Sequence, residues 1–209
     1  MWIVICAVGV FITLAGERYS NRPAGAAGKL IAASAYIAAA LSMGAAGTTY
    51  GQILLLGMAL CWMGDLLLVS NNSQRLFLLG LTSFLLGHVA YIGSFAARSV
   101  SLPIVLGSGL VMAVFAWAVL RWLKPHLDER MRRPVWLYVT AISVMMAMAV
   151  GVYANDGNWL IPLGALLFLL SDLAVARDRF IAPGFINRAW GLPVYFCGQM
   201  VLAFSVLYP

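Results

Sequence analysis

Leu54-Leu-Leu-Gly-Met-Ala-Leu-Cys-Trp-Met-Gly-Asp-Leu-Leu-Leu-Val69 is apolar except for one aspartate, and Leu160-Ile-Pro-Leu-Gly-Ala-Leu-Leu-Phe-Leu-Leu-Ser-Asp-Leu-Ala-Val-Ala176 repeats the pattern. In both stretches the acid, Asp65 or Asp172, stands five residues before polar or basic sequence resumes. Runs this apolar are bilayer-spanning helices or their like. A carboxylate inside such a helix costs a few kcal/mol unless it is partnered or neutralised, which makes both aspartates functional candidates.

Composition extends that reading to the whole chain. Of the 209 residues 63% are hydrophobic and 10% charged, with mean hydropathy +0.94, far more apolar surface than one soluble core can hide. The sequence predicts an all-α polytopic membrane helix bundle, a single integral membrane domain over 1–209. Eight spans are expected, at 2–16, 29–46, 51–70, 76–97, 100–122, 134–153, 159–176 and 188–207. The first lacks a basic leader and a small-residue cleavage site, so it reads as a retained helix.

Charge placement supports the same count. Loops after the first, third, fifth and seventh spans hold twelve of the thirteen Lys and Arg residues, and the opposite side holds Arg98. The positive-inside rule then places the basic loops in the cytoplasm and both termini outside, in the cell (inner) membrane. The net charge of +6 is a topology signal. Nucleic-acid binding is a poor account of it, because the cations are spread along one face without a recognition motif. Cys6, Cys61 and Cys197 have no CxxC or zinc spacing and read as packing residues.

The two acidic stretches echo each other, with a glycine eight residues before the aspartate, Gly57 and Gly164, and a small residue just before it, Gly64 and Ser171. Under the alternating topology both aspartates reach the same depth, roughly 8 Å inside the cytoplasmic boundary. Further polar residues form helical stripes: Phe84, His88, Tyr91 and Phe95 in the fourth span, with Ser83 and Gly87 on an adjoining face, Arg188, Tyr195 and Gln199 in the eighth, and Lys29 with Tyr36 in the second. Such lines face a bundle interior, because lipid offers no hydrogen-bond partners. Tyr36, Tyr138, Tyr195 and Gln199 read equally well as interhelical glue. Lys29 and Arg188 are either snorkelling cations or phosphate ligands. Glu17, Asp128, Glu129, Asp156 and Asp178 read as solvated loop acids.

Met63-Gly-Asp-Leu-Leu-Leu, followed after a polar turn by Phe77-Leu-Leu-Gly-Leu-Thr-Ser-Phe-Leu-Leu-Gly-His-Val-Ala-Tyr91, resembles the YhhN-like lysoplasmalogenase membrane proteins. So do Gly164 to Asp172, Arg179-Phe180, Arg188 and the Tyr195-x3-Gln199 ending, so that the resemblance runs in order from about Lys29 to the C-terminus. Departures are Lys29-Leu30 where the family is expected to have Lys-Pro, and Tyr195-Phe196 in place of a tyrosine pair.

The resemblance implies hydrolysis of the vinyl-ether bond of a lysoplasmalogen drawn from the membrane, giving a fatty aldehyde and glycerophosphoethanolamine or glycerophosphocholine. Vinyl ethers hydrolyse by protonation at carbon followed by water capture of an oxocarbenium ion. Two carboxylates in a poorly solvated site supply the acid and the negative charge, as they do in glycosidases. Asp65 and Asp172 are the expected catalytic pair, His88, Tyr91, Tyr195 and Gln199 the supporting residues, and Lys29 and Arg188 the headgroup ligands. The chemistry calls for no metal or other cofactor. Two rival readings of the same residues are a small proton-coupled transporter using the intramembrane acids and a lipid-binding membrane subunit.

Overall fold

The computed structural model describes residues 1–69 and 73–208. Eight long helices succeed one another: α1 (Trp2–Arg18), α2 (Arg22–Ser42), α3 (Thr49–Leu67), α4 (Gln74–Ala96), α5 (Leu102–Leu123), α6 (Glu129–Asp156), α7 (Leu160–Ala176) and α8 (Phe185–Phe204). Short 3-10 turns fall at Ala45–Gly47, Lys124–His126 and Ser205–Leu207, a π-helical turn spans Arg177–Ile181, and no strand occurs among the described residues. Helices satisfy their own backbone groups, which is what an apolar solvent demands. The seven helices from α2 to α8 are long and apolar enough to cross a membrane, α7 together with the π-helical turn that continues it to Ile181; α1, with 17 residues and no such continuation, reaches only about 26 Å.

Helix ends differ from the hydropathy expectation where capping chemistry intervenes. Helix α2 starts at Arg22 instead of residue 29, because Asn21 caps it by accepting from the Ala24 amide and Pro23 suits its first turn. Lys29 therefore sits two turns inside the helix. Helix α6 starts at Glu129 instead of 134, since Asp128 accepts from the Met131 amide and Pro134 is accommodated within the helix. The expected end of the third span at residue 70 lies outside the described residues.

Consecutive helices pair, α1 with α2, α3 with α4, α5 with α6 and α7 with α8, and α2 and α1 also lean on α8. Small residues bring the first pair together: Gly16 approaches Gly25, and Gly9 approaches Gly28 and Ala32, so closely that a Cβ on Gly16 or Gly9 would overlap backbone. Helix α5 is the outermost, with only Val119 and Leu123 buried. The glycines of the sequence echo share a task. Gly57 lets the Tyr91 ring lie against α3, 2.6 Å from where a Cβ would stand, and Gly164 lets α8 approach α7 at Leu202 and Gly198.

Four of the five acids read as solvated have structural partners. Asp156 pairs with Arg98, Glu17 and Asp178 pair with Arg188, and Asp128 caps α6, whereas Glu129 is exposed. Hydropathy cannot anticipate the three ion pairs, since each joins different elements; the Asp128 cap is local to α6. Cys6 and Cys61 are buried packing residues, and Cys197 is exposed on α8.

Candidate active site

The α3–α4 and α7–α8 hairpins meet through their large side chains. Phe168 of α7 lies edge-on to Phe84 of α4 at 6.3 Å and to Tyr195 of α8 at 5.2 Å. Around this aromatic divider the polar residues collect into two groups, one about each aspartate.

Asp65, near the end of α3, is 1% exposed. Its Oδ1 lies 3.2 Å from Lys29 Nζ, and its Oδ2 accepts from the Tyr195 hydroxyl at 2.8 Å. Behind Tyr195 the hydrogen bonds run in one direction. Tyr91 donates to Gln199 Oε1 at 2.6 Å, and Gln199 Nε2 donates to the Tyr195 hydroxyl at 3.2 Å, so the tyrosine proton is directed onto Asp65. The Lys29 side chain, 15% exposed, turns inward to the acid. The Tyr36 hydroxyl, one layer deeper along α2, donates to the Met58 carbonyl.

Asp172, near the end of α7, has different company. Its side chain is 17% exposed, and its Oδ2 accepts from the Tyr138 hydroxyl of α6 at 3.1 Å. His88 Nε2 stands 3.7 Å from the same oxygen, beyond hydrogen-bond reach. The imidazole is fully buried, with neither ring nitrogen hydrogen-bonded among the described residues, and its faces are flanked edge-on by Tyr138 at 4.9 Å and Phe168 at 4.7 Å. Buried polar atoms are rarely left this way, and those that are call for a function or a small-molecule partner. The two carboxylates share no hydrogen bond among the described residues; each has its own partners.

Every residue singled out in the sequence is thus located. Lys29, Tyr195, Gln199 and Tyr91 connect to Asp65, and His88 stands beside Asp172. Arg188 lies apart, its Nε donating to Asp178 Oδ2 at 3.0 Å and its guanidinium 3.5 Å from Glu17. Ser83 donates to the Leu60 carbonyl and Gly87 abuts Cys61, so the small face of α4 serves to seat it on α3. Tyr138, which the sequence left even between interhelical glue and a site role, is the donor to Asp172. Phe168, the divider, carried no signal in the sequence at all. No group of three His, Cys, Asp or Glu able to hold a metal occurs among the described residues.

Fold and site together define a polytopic helical membrane protein with two partnered carboxylates near its basic end. The chain matches the YhhN family over residues 3–206 and belongs to it. It is 31% identical over 158 residues to "Lysoplasmalogenase TMEM86A" of Bos taurus and equally to that of Homo sapiens, an alignment covering 72% of this chain and 63% of each relative. It is 32% identical over 138 residues to "Lysoplasmalogenase" of Mycobacterium tuberculosis, covering 63% of this chain and 50% of the relative. The match therefore spans less than two thirds of these relatives' own length. No solved structure matches the chain.

Proposed function

We propose that this protein is a lysoplasmalogenase-like hydrolase, which takes a lysoplasmalogen from the membrane and cleaves its vinyl-ether bond with water to release a fatty aldehyde and glycerophosphoethanolamine or glycerophosphocholine. The observation that carries the reading is the unlike partnering of two carboxylates, one against an ammonium and the other among uncharged groups. The likeness to proteins named lysoplasmalogenases favours a hydrolase over the carrier and the binding subunit.

The partners suggest a division of labour. Asp65, held by Lys29 and Tyr195, is assigned to stay charged and face the developing oxocarbenium ion. Asp172, whose neighbours Tyr138 and His88 carry no fixed charge, is assigned to give its proton to the vinyl carbon distal to the ether oxygen. The cation that forms is captured at the carbon bearing oxygen by a water assigned to His88 Nε2 and Asp172 Oδ2, two polar atoms 3.7 Å apart that make no hydrogen bond to each other. That water returns a proton to Asp172. The resulting hemiacetal then moves its hydroxyl proton to the glycerol oxygen and separates into aldehyde and alcohol. No cofactor takes part in these steps. Lys29 serves Asp65 in this scheme and is not assigned to the headgroup.

We further place the basic end in the cytoplasm, with both termini outside and the protein in the cell membrane, on the strength of the charge asymmetry. The ether linkage of a lysolipid lies just below its glycerol, matching aspartates close to one interface.

The test is aldehyde release from an alkenyl lysophospholipid by purified protein in detergent, wild type beside Asp65→Asn and Asp172→Asn. Wild-type turnover with a loss of at least about 100-fold in each variant, at unchanged gel-filtration elution, is expected. Near wild-type turnover in both variants would eliminate the mechanism, and a folded wild type inert on both headgroups would eliminate the substrate class.

A further inference from the structure

At the basic end a charged cluster stands outside the hydrolytic site. Arg188, in the first turn of α8, is held by Asp178, and Asp178 is in turn held by its own corner: its Oδ1 accepts from the Gly184 amide at 2.8 Å and from Asn187 Nδ2 at 3.3 Å. Asp178 is therefore a fixture of the α7–α8 connection that sets the direction of the guanidinium. Glu17, in the last turn of α1, is placed differently. Arg188 is its partner at 3.5 Å, a long contact, and Glu17 Oε2, itself buried, accepts no hydrogen bond among the described residues. The Arg188 and Glu17 side chains remain 36% and 26% exposed.

A half-buried acid without a hydrogen-bond donor of its own, beside an oriented base, is the mirror image of a zwitterion. Arg188 precedes Tyr195 by seven residues, two turns on the same face of α8 and about 10 Å along it, and Tyr195 touches Asp65. That interval suits a glycerol and its phosphodiester. The geometry points to a headgroup clamp in which Arg188 receives the phosphate and Glu17 the ammonium of a phosphoethanolamine lipid, in preference to phosphocholine. A primary ammonium donates charge-assisted hydrogen bonds to a carboxylate, and a trimethylammonium has no N–H to donate. This rests on the hydrolase reading for its substrate, and it makes α1, which contributes nothing to the acid pair, the element that sets headgroup preference.

The experiment compares ethanolamine and choline lysoplasmalogens on wild type, Glu17→Gln and Glu17→Asp. Wild type is expected to favour ethanolamine by about tenfold in kcat/KM, the size of one charge-assisted hydrogen bond. Glu17→Gln should remove most of that preference through KM, and Glu17→Asp, which keeps the charge and protects the test against misfolding, should retain part of it. An unchanged headgroup ratio in folded Glu17→Gln, or no preference in wild type, overturns the clamp. Binding of saturated alkyl-ether lysolipids, which carry the headgroup without a cleavable bond, separates the two claims: preference without turnover removes the hydrolase alone, and turnover without preference removes the clamp alone. Soluble phosphoethanolamine binding as tightly as the lysolipid overturns the lipid as the source of the headgroup.

Discussion

Asp65 and Lys29 illustrate how a buried charge is tolerated. Each is expensive in a poorly solvated interior, and removing one partner strands the other, a cost of about 3–5 kcal/mol when a buried pair is broken. Lys29→Met should therefore lower stability in detergent more than the double variant Lys29→Met/Asp65→Asn, in which no charge is stranded. Unfolding curves of the single and double variants check this, and a double variant less stable than Lys29→Met would contradict the pairing. Tyr138 offers a second test. Its hydroxyl donates to the oxygen of Asp172 that faces His88, so it stabilises the carboxylate formed as Asp172 gives up its proton, and hydrogen bonds to charged groups are worth about 1.5–3 kcal/mol. Tyr138→Phe should reduce kcat by about tenfold or more while elution and helicity stay as in wild type.

Helices α3 and α7 each carry one acid, and the glycine two turns before it governs how the next helix lies. At Gly57 an added Cβ would stand 2.6 Å from the Tyr91 ring, and Tyr91 begins the hydrogen-bond series through Gln199 and Tyr195 to Asp65. Gly57→Ala should push the ring away, costing about 1–3 kcal/mol of stability as overpacking does, and lowering turnover of the molecules that remain folded. Gly93→Ala, where the nearest atom to the added Cβ would be 3.6 Å away, is the control and should do neither. Thermal denaturation and single-turnover aldehyde release report the two effects separately. The echo between the two stretches thus has a physical meaning at the level of helix contact, whatever its ancestry.

The molecule as a whole is tied differently at its two ends. At the less basic end Arg98 donates to Asp156 and to the Tyr208 carbonyl and lies over the Tyr50 ring, while Asn158 donates to the Ser205 carbonyl, a network joining α3, α4, the α6–α7 connection and the end of the chain. Both acids of the site lie toward the other end, where the cations gather. Asp156→Asn should accordingly lower the unfolding midpoint, by about 3 kcal/mol of stability, yet leave turnover per folded molecule intact well below the transition. If turnover falls in proportion with Asp172→Asn, the division between a structural end and a reactive end is wrong. Impermeant thiol labelling of single cysteines introduced at Ser20 and at Ser99 in intact cells tests the orientation, with labelling expected at Ser99 alone.

Much of this architecture was legible in the residues. Membrane solvent and helix class and number follow from local quantities, the length of each apolar run and the rarity of charge within it. Lipid penalises each residue individually, so such features need no knowledge of partners. Helix starts at Arg22 and Glu129 also lay in the sequence, as the caps Asn21 and Asp128, but in capping chemistry instead of hydropathy. The pairing of Lys29 with Asp65, of Tyr138 with Asp172, of Glu17 with Arg188, and the contact of Phe168 with both Tyr195 and His88 joined residues that are remote along the chain. Those arrangements depend on which helix faces turn toward each other, and that is set by the close approach of small residues across the whole bundle, which no single stretch of sequence contains.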